Sequence, residues 1–200
     1  MIVIFNKLFF TDPVDILEVN SFDQIDDFFS KLHKYLEKGY YSAGYFSYEF
    51  GMVFEKKLLN LYPDTTKNLA CFGIFKKPVK YRPEFKNSNF KISNLKIKTP
   101  KEKYFQDLDK IKNYIKDGDI FQANYTTKLT FDFEGDLLDL YNWIRQAHPV
   151  PYSAYIKFKN KTILSFSPEL FFEINQDKIK VKPMKGTLKR GKDKKEDEYN

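Results

Sequence analysis

Hydrophobic and polar positions along the 200-residue chain alternate in two distinct periods, and the change from one to the other marks the elements. Ile2 to Phe10 reads as a strand closed by the turn residues Thr11-Asp12-Pro13. Ser21-Phe22-Asp23-Gln24 has the form of a capping box, and Phe22, Ile25, Phe28, Phe29, Leu32, Tyr35 and Leu36 then recur at helical spacing as far as Gly39. Tyr40 to Glu49 mixes small and aromatic residues, as a buried strand does where another backbone comes close at Gly44. A further strand is expected over Leu69 to Phe75.

Between Lys76 and Pro100 the apolar pattern gives way to Pro78, Pro83, Pro100, several lysines and Asn87-Ser88-Asn89, which predicts a domain boundary or long connection. Tyr104, Leu108, Ile111 and Ile115 then define a second helix, with Gly118 suited to the left-handed position beyond its end. From Ile120 to Phe133 the odd positions Phe121, Ala123, Tyr125, Leu129, Phe131 and Phe133 are largely apolar, while Gln122, Asn124, Thr126 and Lys128 alternate with them. That pattern predicts one long strand. A third helix runs from Asp136 to about Gln146 and stops before Pro149 and Pro151. Strands at Tyr152–Phe158, Thr162–Phe166, Leu170–Ile174 and Lys178–Lys182 follow in quick succession, with turns at Asn160-Lys161 and Gln176-Asp177.

Short strands linked by turns, set after helices, indicate antiparallel sheet in an α+β arrangement. No internal repeat or low-complexity tract interrupts it.

Composition narrows the function classes. The chain is 42% hydrophobic and 18% aromatic, enough for a substantial core. No apolar run approaches the ~20 residues of a membrane helix, and Met1-Ile2-Val3-Ile4-Phe5 lacks the basic start of a signal peptide, so a cytoplasmic protein with no membrane partner is expected. The single Cys71 lies in an apolar run, which predicts a buried, unreactive thiol. The net charge of +7 suggests a nucleic-acid partner only until the cations are sorted. Arg82, Arg145 and Arg190 are the only arginines, and the lysines are interspersed with acids, as in a solvated face. No nucleic-acid partner is expected.

Candidate chemistry concentrates near residues 167–187. If the last strand keeps its alternation, Ile179, Val181 and Pro183 share one face with Lys185, while Lys180, Lys182 and Met184 take the other. Gly186 permits a sharp turn, and Thr187 offers a hydroxyl and an amide to an anionic ligand. Spacing alone fits a surface hairpin better. Glu169 follows Pro168, which interrupts the strand and leaves its face unassigned. As a general acid or base it needs a carboxyl raised from about 4.3 toward ~6–7 by burial. A nucleophilic Lys185 needs the opposite shift, and deprotonating an ordinary lysine at pH 7 costs about 4.6 kcal/mol.

Four motifs in order carry more information than any one of them. Gly118-Asp119-Ile120-Phe121-Gln122-Ala123-Asn124, His148-Pro149-Val150-Pro151-Tyr152, Ser167-Pro168-Glu169 and Pro183-Met184-Lys185-Gly186-Thr187 with Arg190-Gly191 together resemble the chorismate-utilising enzymes. That family includes anthranilate synthase component I, aminodeoxychorismate synthase component I and the isochorismate synthases. Within it the chain is most similar to the amino-terminal portion of aminodeoxychorismate synthase component I, the large subunit of para-aminobenzoate synthase, and Gly44 to Glu49 shares that likeness.

The resemblance implies specific roles. Anthranilate and isochorismate synthases typically carry alanine where this chain has Lys185, and aminodeoxychorismate synthases carry lysine. Lys185 then corresponds to the covalent nucleophile that attacks C2 of chorismate as the 4-hydroxyl leaves, before ammonia enters at C4 and expels it. Glu169 corresponds to the general acid and base at that hydroxyl. Gly186 and Thr187 correspond to substrate-binding positions. Pro151 and Tyr152 fall in the segment that forms an indole or effector pocket in some members, although His148 replaces the usual asparagine there.

The implied partners are chorismate and a glutamine amidotransferase that supplies ammonia for folate biosynthesis. The implied cofactor is Mg²⁺, with ligands in a carboxy-terminal stretch beyond Asn200. No metal ligand is expected within the chain, since Asp193, Glu196, Asp197 and Glu198 read as a solvated charge run. The implied fold is mainly an antiparallel sheet sandwich flanked by helices, like anthranilate synthase component I, with residues 1–98 as the amino-terminal region of the component I fold and 99–200 as the first part of the chorismate-binding domain. The chain is expected to be truncated and inactive by itself. The alternatives are an anthranilate or isochorismate synthase-like enzyme and a non-catalytic amidotransferase-docking module.

Overall fold

The computed structural model describes residues 1–55, 57–58, 68–83 and 90–183. The chain divides into two compact units, one built from residues 1–84 and 144–200 and the other from 85–143. These units interleave with the expected ranges 1–98 and 99–200, because a strand near the start pairs with one past residue 150. Among the described residues no helix is long and apolar enough to cross a membrane.

The larger unit is layered. Strands β1 (Ile2–Phe5) and β2 (Leu8–Phe10) form a hairpin in place of the single strand expected over residues 2–10. Asn6 breaks it by taking a left-handed φ of 55°, which asparagine tolerates better than most residues. The same residue then grips a neighbour: its Oδ1 accepts the Ser153 N–H at 3.0 Å, and its own N–H donates to the Ser153 carbonyl at 3.0 Å.

Strand β3 (Asp15–Val19), absent from the periodic reading, buries Leu17 and Val19. Helix α1 (Ile25–Glu37) follows a 3₁₀ turn at Phe22–Gln24. The expected capping box is not made. Ser21 forms no side-chain cap bond, and Gln24 Oε1 accepts the Asn20 N–H at 2.8 Å, one residue short of the box.

Strand β4 (Tyr41–Phe46) and a 3₁₀ turn at Tyr48–Phe54 replace the longer strand expected to Glu49. Strand β5 (Ala70–Phe75) is central in the antiparallel order β3-β5-β4. Gly44 is required where β4 meets β5, since a Cβ there would lie 2.0 Å from the Cys71 carbonyl oxygen. One face of this sheet packs on α1 through Leu17, Val19, Ile25, Phe28, Leu69, Ala70 and Ile74. Phe75, Ala43 and Tyr45 meet Val3, Phe10 and Ile156 in a second cluster, so a second sheet lies on the other face. Cys71 is buried, and desolvation pushes its thiol up to about 11, consistent with an unreactive core residue.

That second sheet has the order β10-β9-β1-β2-β6, with β6 at Val79–Lys80, β9 at Tyr152–Phe158 and β10 at Lys161–Ser167. It completes the expected antiparallel sandwich. The β9–β10 turn falls at Lys159-Asn160, one residue before the expected position, because Lys159 takes the positive φ of 47°. Strands β11 (Leu170–Asn175) and β12 (Lys178–Lys182) form a separate two-stranded ribbon with its turn at Gln176-Asp177, as expected.

In the smaller unit, β7 (Lys91–Ile97) lies within the stretch expected to be a connection, and it pairs antiparallel with β8 (Leu129–Glu134). The strand expected from Ile120 therefore forms only in its second half. Its partner β7 runs out at Thr99-Pro100, where helix α2 (Lys101–Asp117) begins, so residues before 128 have no edge to pair with. Gly118 ends α2 at φ 81°, and the Asp119 N–H closes on the Tyr114 carbonyl at 3.0 Å. Helix α3 (Leu137–Ala147) starts at Asp136, whose Oδ1 accepts the Leu138 N–H, and its last described bond runs from the His148 N–H to the Ile144 carbonyl at 2.7 Å.

Candidate functional site

The β9–β10 ladder ends with Ser167 directly opposite Tyr152. Its register brings two of the sequence motifs, Pro151-Tyr152 and Ser167-Pro168-Glu169, to one end of one sheet. Proline has no N–H to give a ladder, so Pro168 ends β10 and lets the chain leave for the ribbon. The turn is bonded within itself. The Glu169 N–H donates to Ser167 Oγ at 3.2 Å, and that hydroxyl donates to the Glu169 carbonyl at 3.0 Å.

Glu169 and Ser167 stand at the polar end of an open hollow of about 780 Å³. The rest of its lining is Leu170, Phe171, Phe172, Ile174, Ile179, Val181 and Pro183. Ile174 lies directly across from Ile179, and Glu173 across from Lys180, so the ribbon is apolar on one face and charged on the other. The expected alternation of Ile179, Val181 and Pro183 on one face is therefore present. That apolar face is open: Phe171 is 84% exposed, Ile179 69% and Ile174 62%.

A carboxylate at the edge of an apolar hollow is a suitable general acid or base once water is excluded around it. Glu169 itself is exposed. Lys185, Gly186 and Thr187 lie outside the described residues. Pro151 is exposed and Tyr152 half-buried, and neither lines the hollow.

The remaining motif lies in the smaller unit. There the irregular stretch after Gly118 is held by its own contacts: Tyr125 Oη donates to Asp107 Oδ2 at 2.9 Å, Lys103 Nζ pairs with Asp107 Oδ1, and Thr127 Oγ1 and Thr99 Oγ1 are hydrogen-bonded at 2.8 Å. Lys103 first, and the Tyr125 hydroxyl second, hold the Asp107 carboxyl below its ordinary value. The same bond raises the Tyr125 phenol. Gln122, Ala123 and Asn124 are exposed between these anchors.

Of the two histidines, His33 pairs with Glu37 at 3.1 Å on the exposed side of α1, and His148 follows the end of α3. Among the described residues no three His, Cys, Asp or Glu side chains converge, so these residues do not fit a Mg²⁺ ion.

Comparison with known proteins places the four motifs within one matched region. The family model described as chorismate binding enzyme matches residues 80–200, more than half of the chain. The chain belongs to the chorismate binding enzyme family. It is 39% identical over 98 residues to anthranilate synthase component 1 of Bacillus subtilis, covering 49% of this chain and 19% of that protein. It is 33% identical over 141 residues to anthranilate synthase component 1 of Aquifex aeolicus, covering 69% and 27%. It is 33% identical over 97 residues to aminodeoxychorismate synthase component 1 of Klebsiella aerogenes, covering 48% and 22%.

The matched part thus spans about a quarter or less of these relatives' lengths. Two different named activities appear at similar identity. Glu169 and the β12 residues Ile179 and Val181 line one hollow, whereas the bonded role of Ser167 was not read from the sequence. A serine two positions before a residue of interest, with a proline between them, is the signal that would have pointed to it.

Proposed function

We propose that the protein is component I of an aminodeoxychorismate synthase, which aminates chorismate at C4 with ammonia to give 4-amino-4-deoxychorismate for para-aminobenzoate and folate synthesis. The observation that carries this reading is Lys185, sixteen positions after Glu169 in the motif Pro183-Met184-Lys185-Gly186-Thr187. Overall identity favours neither anthranilate nor aminodeoxychorismate synthesis, so the reading rests on this side chain.

In the proposed reaction the Lys185 amine forms a bond to C2 of chorismate as the bond from C4 to its hydroxyl breaks. Glu169 donates the proton with which that hydroxyl departs as water. Ammonia then bonds to C4, the C2–lysine bond breaks and Lys185 is returned as the free amine. Gly186 and Thr187 hold the substrate. Pro151 and Tyr152 contribute to an effector pocket. The ammonia comes from a glutamine amidotransferase. We assign the Mg²⁺ ligands to the part of the family fold that the matched region does not span. The expected ranges 1–98 and 99–200 describe how the chain divides within that larger fold, and the enzyme works in the cytoplasm.

The test is product analysis with chorismate, ammonia and Mg²⁺, using the protein in its full natural length. The expected product is 4-amino-4-deoxychorismate without pyruvate release. Glu169→Gln should lower turnover by roughly 10²–10⁴-fold, the range for a lost general acid. Lys185→Ala should leave no lysine adduct detectable by mass spectrometry. Anthranilate as the product, or undiminished amination by Lys185→Ala, overturns the assignment.

A further inference from the structure

Resting on the reading of Glu169 as the general acid, we propose that Ser167 is its positioning residue, the side chain that fixes the carboxylate-bearing turn at the mouth of the hollow. Ser167 is the last residue of β10 and pairs across the ladder with Tyr152 in the five-stranded sheet, while Leu170 pairs with Lys182 in the ribbon. Glu169 sits at the joint between the two, in neither ladder. The register of the ribbon also shifts between Leu170 and Glu173, so regular pairing is re-established only beyond the turn.

At such a joint the main chain needs another source of order, and the Ser167 hydroxyl supplies it. One oxygen accepts from the Glu169 N–H and gives its own proton to the Glu169 carbonyl, at 3.2 and 3.0 Å. A hydroxyl is the smallest side chain with both a donor and an acceptor. Alanine removes both bonds, whereas threonine keeps them on a residue that strands accept readily. Pro168 narrows the turn further by fixing φ at the residue between. Ser167 and Glu169 both line the hollow, so the group being held and the group holding it face the same space.

The hydroxyl bonds to the backbone of Glu169 and not to its carboxylate. It therefore acts through placement. Loss of the bond should lower kcat with little change in KM, because a general acid matters most as the leaving group departs.

The experiment compares Ser167→Ala, Ser167→Thr and Glu169→Gln in the protein in its full natural length, with three readouts. Steady-state kinetics with chorismate should show Ser167→Ala reduced in kcat by about 10- to 100-fold, the scale set by a misplaced reacting group, with KM within about twofold and Ser167→Thr close to the unsubstituted protein. The pH profile of kcat for Ser167→Ala should move on the limb that Glu169 controls, which a simple loss of fold stability does not do. Amide hydrogen exchange at Glu169 should speed up in Ser167→Ala and stay slow in Ser167→Thr.

Unchanged kcat, pH profile and Glu169 exchange in Ser167→Ala, alongside an inactive Glu169→Gln, overturns the positioning role and leaves the reading of Glu169 standing. Failure of threonine to restore kcat also overturns it, since the hydroxyl is then not what matters. Full activity of Glu169→Gln overturns the underlying reading.

Discussion

Asp107 shows how much one side chain organises where backbone pairing is missing. It takes Lys103 on one oxygen and Tyr125 on the other, at the point where the stretch from Ile120 fails to enter the β7–β8 ladder. Its carboxyl is held below the ordinary 3.8, chiefly by Lys103. A depressed carboxylate contributes stability that is complete above its unfolded value and is lost as pH falls through its folded value. Carbon-detected NMR titration should therefore show Asp107 ionising below the ordinary aspartate value. Lys103→Met should move that titration upward more than Tyr125→Phe, and the reverse ranking would mean that the hydroxyl is the stronger partner. None of this was legible in the sequence, where Tyr125 fell on the apolar side of an expected strand. Alternation says which way a side chain points once a strand exists, but not whether a partner strand exists. Gly44 and Gly118 were legible because close approach and positive φ leave few other residues as choices.

Elements that look alike in the sequence have opposite environments in the fold. Strand β1 is buried at Val3 and Ile4, while β12 carries Ile179 and Val181 at 69% and 57% exposure. Both strands were readable, but their burial was not, because burial depends on what lies across the sheet. Ile4→Ala should cost about 2–5 kcal/mol, whereas Ile179→Lys should change stability by no more than about 0.5 kcal/mol. Urea unfolding of the two variants checks the contrast, and comparable losses would mean that the ribbon's apolar face is covered in solution. The Ser21-Gln24 capping box failed for a related reason. The motif was present, but the 3₁₀ turn at Phe22–Gln24 moved Gln24 onto Asn20 and left Ser21 without its bond. The candidate site was legible to the same degree. The ordered motifs singled out Glu169 and Lys185 as candidates through their resemblance to a family, but the hydroxyl beneath Glu169 emerged only when the turn was seen closed on itself.

Across the whole chain, antiparallel sheet was foreseeable from the pattern and the sandwich from the resemblance, but the topology was not. Runs of short strands call for antiparallel sheets, yet nothing in Ile2-Val3-Ile4-Phe5 names a partner about 150 residues away. The pairing of Ile4 with Tyr155 decides it, and the Asn6–Ser153 clamp beside it fixes the register. Contacts this distant in sequence slow folding, because the chain must close a long loop before they form.

That pairing also imposes a timetable on synthesis. At about 5–20 residues per second, the first strand leaves the ribosome about 8–30 s before its partner is made. Through that interval β1 can join β2, but the edge meant for β9 stays open on a short, uncharged and strongly apolar segment, the kind of edge that recruits other chains. Nascent chains stalled near residue 130 should accordingly be cleaved readily by protease at residues 1–10, and chains stalled after residue 200 should resist there. Equal protection at both lengths would mean that the hairpin finds shelter without β9. The opening strand is thus the first part of this sheet to be made and among the last to be safe, which places a premium on whatever shields it while the rest is translated.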